Sequence, residues 1–72
     1  MDYYEIYKSE DGWRIAIDSS PLFATKKEAS EWRLKDIAKK IEEIKTQDAP
    51  KKIIDTCVSY MNALLKKAKQ EA

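Results

Sequence analysis

Apolar and polar residues alternate over the first quarter of the chain and then settle into a helical period. In Trp13-Arg14-Ile15-Ala16-Ile17-Asp18, residues Trp13, Ile15 and Ile17 fall on one face, because successive side chains of an extended chain point to opposite sides. Tyr3-Tyr4-Glu5-Ile6-Tyr7-Lys8 is aromatic and favours strand. Between the two lies Ser9-Glu10-Asp11-Gly12, which holds the only glycine of the chain. Gly12 is expected to supply the positive φ that closes a type I turn with a bulge. The pattern predicts an antiparallel β-hairpin over about residues 3–18. Its first strand carries bulk on both faces, Tyr4 and Ile6 on one and Tyr3 and Tyr7 on the other. A slip of one residue would exchange the buried pair.

Ser19-Ser20-Pro21 turns the chain, and Leu22-Phe23-Ala24 is short and apolar, compatible with a third edge strand. Thr25-Lys26-Lys27-Glu28 has the spacing of a capping box, so a helix is predicted over about 26–46. Leu34, Ile37, Ala38, Ile41 and Ile44 form one stripe at about 100° per residue. Glu31–Lys35 and Asp36–Lys40 are i,i+4 pairs on the solvated side. Asp48 and Pro50 suit the start of a second helix, over about 50–70, with a broad apolar stripe of Ile53, Ile54, Cys57, Val58, Met61, Leu64, Leu65 and Ala68. The expected fold is α+β: a β-hairpin packed on two long antiparallel helices, in one domain covering 1–72.

Composition narrows the chemistry. A chain of 72 residues buries about 60% of its unfolded surface, and its core supplies roughly 3–5 kcal/mol. A deep substrate cavity would consume interior it lacks. Charged residues make up 38% of the chain, yet the net charge is only +1, which describes a mixed, solvated surface. The distribution is uneven. Residues 1–23 set Lys8 and Arg14 against Asp2, Glu5, Glu10, Asp11 and Asp18, a net of −3, and the remainder carries +4. A lone cysteine, Cys57, rules out an internal disulfide and fits a reducing compartment. The acidic start Met1-Asp2-Tyr3-Tyr4-Glu5 does not read as a signal peptide. No apolar stretch nears the roughly 18 residues that span a bilayer. A cytoplasmic protein with no membrane partner is expected.

With no histidine, the commonest general base, the Ser/His and Cys/His pairs and most zinc sites are missing. One glycine cannot build a phosphate-cradling loop, and Glu10-Asp11-Gly12-Trp13-Arg14-Ile15 lacks the alternating acids of a calcium loop. The expectation is a non-enzyme with no cofactor and no metal. Cys57 lies within the helix-two stripe and is expected to be a small buried hydrophobe.

Binding residues are sought among the aromatics and the acids beside them. Trp32 lies about 160° from the centre of the helix-one stripe, so either Leu22-Phe23 or the sheet covers it, or it is an exposed anchor for a partner. The outer hairpin face is expected to present Tyr3, Tyr7 and Arg14, flanked by Glu10 and Asp11. These residues either pair across the strands or recognise a basic protein surface. Four lysine doublets are scattered around the helices and read as solvated faces or as a modest DNA-backbone contact.

The stretch from Gly12 to Trp32, with Phe23-Ala24-Thr25-Lys26-Lys27-Glu28-Ala29 opening the helix, resembles the small sheet-plus-helix N-terminal module of phage-type integrases. It also looks like short accessory proteins of lambdoid phages and prophages. In the integrase family the sheet enters a DNA groove. The present sheet is acidic, so that role does not carry over. The leading expectation is a protein-binding module, of the kind in which a phage product inhibits or regulates a host protein. The alternatives are a DNA-binding accessory protein using the basic helices or the sheet, and a self-associating protein that dimerises through the helix-two stripe.

Overall fold

A computed structural model describes residues 2–71 and has the α+β architecture that the pattern predicts. Strands β1 (Ile6–Ser9) and β2 (Gly12–Ile15) form an antiparallel hairpin, followed by helices α1 (Lys26–Lys45) and α2 (Lys51–Glu71). The register pairs Ile6 with Ile15, Tyr7 with Arg14, Lys8 with Trp13 and Ser9 with Gly12. Ile6, Lys8, Trp13 and Ile15 therefore share one face, and Tyr7 and Arg14 oppose each other on the other. The ladder is shorter than the span 3–18. Pairing continues irregularly beyond it, with the Ala16 amide donating to Glu5 at 2.8 Å and the Tyr4 amide donating to Ala16 at 3.2 Å.

The far edge of β2 is covered rather than free. Phe23 makes a single antiparallel bridge to Trp13, exchanging both backbone hydrogen bonds at 2.9 Å. Two residues further along β2, the Ser20 hydroxyl accepts the Ile15 amide at 2.8 Å. The Leu22-Phe23-Ala24 segment is thus one bridge, enough to satisfy an edge that would otherwise offer open donors.

Helix α1 starts where the capping residue dictates: the Thr25 hydroxyl accepts the Glu28 amide at 3.2 Å. Helix α2 opens on the Pro50 carbonyl, which accepts from both Ile53 and Ile54. Helix α1 is the middle layer, with the hairpin against one of its sides and α2 against the other. Its buried residues, Ala29, Arg33, Ile37 and Ile41, recur every four positions and so run along one line of the helix. Leu34 and Ile44 are half-buried beside it, whereas Ala38 is exposed. The core joins this line to Tyr4, Ile15, Met61 and Ala68.

The layer order corrects the reading of Cys57, which is exposed. The hairpin packs on the first half of α1, and only the residues ahead of β1 come near α2, along its last half. The first half of α2 leans on α1 alone, so Ile53 is 55% exposed and Cys57 lies open beside it. The molecule is correspondingly long, 41 × 23 × 20 Å. Among the described residues no helix is long and apolar enough to cross a membrane.

Gly12 is needed for two reasons, of which the turn is only one. Its φ is +150°, and a Cβ placed there would lie 2.6 Å from the Phe23 carbonyl oxygen. Any side chain must therefore push away the bridge that covers the sheet edge. Gly12→Ala is expected to lose about 1–3 kcal/mol, measured by urea unfolding, where a surface substitution would stay within about 0.5 kcal/mol.

Candidate functional site

Tyr4 is the residue around which the hairpin end is assembled. It is 2% exposed and has a φ of +65°, a conformation that L residues adopt only when their surroundings enforce it. Every polar group it owns is engaged. The amide donates to Ala16, the carbonyl accepts from Arg33 Nη1 at 3.2 Å, and the phenol donates to Asp36 Oδ2 at 2.5 Å. The segment ahead of β1 thus clamps onto the first half of α1 through Arg33 and Asp36, three residues apart on one face of that helix. Burial pushes the Tyr4 phenol well above the usual tyrosine range, and its hydrogen bond to the Asp36 carboxylate adds to the rise.

Arg33 extends the clamp to the third layer. Its side chain is 7% exposed, and Nη2 donates to Glu71 Oε2 at 3.1 Å, at the end of α2. One guanidinium thereby holds the hairpin backbone on one side and the last turn of α2 on the other. A buried cation tolerates this position only because it is paired and hydrogen-bonded.

Above this clamp lies an open cleft of about 220 Å³ between the start of the hairpin and the last half of α2. Tyr3 and Tyr60 line it from opposite elements and are 44% and 54% exposed. Asp2, Glu5 and Glu71 bring carboxylates to it, Lys67 brings an ammonium, and Arg33 lies at its base. The Tyr3 ring meets the Tyr4 ring edge-on at 4.7 Å, so an exposed aromatic surface is braced by a buried one. The combination suits recognition of a polypeptide. Large, stiff aromatic side chains supply contact area at little entropic cost, with charges of both signs around them.

The residues singled out in the sequence separate into three places. Tyr3 belongs to the cleft. Tyr7 and Arg14 are directly opposed cross-strand partners, both half-buried, on the sheet face away from α1. Glu10 and Asp11 are exposed at the tip of the hairpin turn. Trp32 is on the α1 side that meets the sheet, half-buried, with its ring 5.6 Å from that of Phe23. Of the two readings of Trp32, coverage by the Leu22-Phe23 segment matches its position. Trp13 completes this inner aromatic layer, with Lys8 and Lys26 ammonium groups 5.6 and 6.0 Å from its ring.

Arg33 and Tyr60 were not picked out by sequence reasoning, and Asp36, expected on the solvated side as a partner of Lys40, is half-buried and accepts from Tyr4 instead. Arg33 had a visible signal, since it interrupts the four-residue spacing of Ala29, Ile37 and Ile41 with a charge. Among the described residues no three acidic or cysteine side chains gather as a metal ion would require. Comparison with known protein families, curated proteins and solved structures finds no match.

Tyr4→Phe isolates the clamp. It is expected to lower stability by about 1–3 kcal/mol at neutral pH, since Asp36 loses its buried donor. It should also change the alkaline limb. In the wild type the unfolded chain releases the Tyr4 proton near pH 10 while the folded chain retains it, so stability falls above that pH. The slope from this one group approaches about 1.4 kcal/mol per pH unit. Urea unfolding between pH 9 and 11 should show that slope in the wild type and a shallower decline in the variant.

Proposed function

We propose that this chain is a non-enzymatic protein-binding module, an inhibitor or regulator of the phage accessory kind. On this reading it works inside the cell and engages its partner through the aromatic, acidic end of the hairpin. The observation that carries the reading is the pair Tyr3 and Tyr60, two exposed tyrosines presented across one cleft by separate elements. Tyrosine is enriched where binding energy concentrates, and a shared cleft concentrates it further. The Glu10-Asp11 tip and the cleft carboxylates Asp2 and Glu5 favour approach by a basic protein surface and oppose a phosphate backbone. An intracellular setting is supported by Cys57, a free exposed thiol. The phage character rests on the resemblance of the Phe23-Ala24-Thr25-Lys26-Lys27-Glu28-Ala29 run.

The test is affinity capture from host lysate with the wild type and a Tyr3→Ala/Tyr60→Ala double variant, alongside retention on duplex DNA at physiological salt. Both tyrosines are about half exposed, so the variant should lose no more than about 2 kcal/mol, checked by urea unfolding. A captured protein whose retention drops tenfold or more in the variant supports the reading. Equal capture by both proteins, or DNA retention that falls steeply with salt, would replace it with a different surface or a different partner.

A further inference from the structure

Arg33 Nε is the one buried side-chain polar atom among the described residues without a hydrogen-bond partner. In a planar guanidinium, Nε–H and the Nη2 amino group share an edge, and a carboxylate seated on that edge accepts from both. Glu71 uses only half of it: Oε2 accepts from Nη2, and no acceptor reaches Nε. Nη1, on the other side of the group, is turned to the Tyr4 carbonyl.

The occupant of this edge is weakly held. The Glu71 side chain is 48% exposed, so solvent screens its attraction to Arg33. Arg33 and Glu71 border two clefts at once. One is the tyrosine-lined cleft, and the other, of about 380 Å³, is lined by Glu5, Ile6, Lys26 and Ser30. With Glu71 swung aside, a nearly buried cation would face open space with one full edge unpaired. Lys26, Ser30 and Lys67 would stand nearby as further donors. A buried arginine demands an anion there, whichever molecule supplies it.

We propose that the Nε/Nη2 edge of Arg33 is a carboxylate-binding subsite, filled from within by Glu71 and taken over by an aspartate or glutamate side chain of the bound protein. The source of that carboxylate rests on the protein-binding reading; the subsite itself does not. The cleft then has opposite polarity at its two levels, acids around the mouth and a carboxylate receptor at the base. It selects a partner segment that carries both signs.

The experiment titrates sodium acetate against sodium chloride at constant ionic strength and follows the Arg33 Nε–H resonance by NMR. The proteins are the wild type and Glu71→Gln, which keeps the shape of the residue and removes its charge. In the variant, acetate should shift the resonance saturably while chloride leaves it in place. In the wild type the same shift should need about tenfold more acetate, because Glu71 must first be displaced from a charge-assisted hydrogen bond. An unmoved resonance in both proteins, or equal responses to acetate and chloride, overturns the subsite. Because the wild type is titrated as well, poor folding of the variant would not spare the proposal. No partner protein takes part, so failure here leaves the protein-binding reading standing, and failure of lysate capture leaves the subsite standing.

Discussion

A single buried guanidinium sets the terms for this fold. Arg33 sits in the middle helix with hairpin on one side and α2 on the other, and it binds an acceptor from each. In a chain this small the apolar core is thin, with seven fully buried apolar residues among those described, mostly aliphatic. Directional bonds to an enclosed cation therefore decide how the layers are oriented. Removing either acceptor leaves a donor of that enclosed cation unpaired. Tyr4 accepts its left-handed backbone under that same constraint: the φ that strains it also turns its carbonyl to Arg33 and its phenol to Asp36.

The hairpin and both helices were legible in the sequence because each is encoded locally. Alternation around a lone glycine, a Thr–Glu capping pair and a proline in a first turn need no knowledge of neighbours. What depended on layer order was less readable. The stripe of α2 is wide, and its periodicity alone placed Cys57 among the buried positions. The hairpin instead rests on α1, and Cys57 and Ile53 are left outside. Gly12 was recognised as a turn residue, but the carbonyl of Phe23 pressed against it comes from a tertiary bridge that no turn rule contains.

The candidate site was legible only in part. Tyr3 and the acids around it follow from composition and strand parity. Tyr60 joins them because two helices run antiparallel and bring residue 60 back beside residue 3, a pairing set by loop position rather than by any motif. Trp32 had two readings, covered or presented to a partner, and its half-buried ring lies 5.6 Å from that of Phe23. Exposure of an aromatic residue is decided by the third dimension, and periodicity alone cannot rank Trp32 against Tyr60.

The one-sided support of α2 has a consequence for how the molecule breathes. From the Tyr4 clamp toward the loop between the helices, each successive turn loses a layer of cover. Opening free energy should therefore decline along the long axis, with amide exchange fastest near residues 46–55 and slowest around Arg33. The bare tip could then part and reclose many times while the tyrosine-bearing end stays assembled, a helical pair hinged from its capped end like tongs.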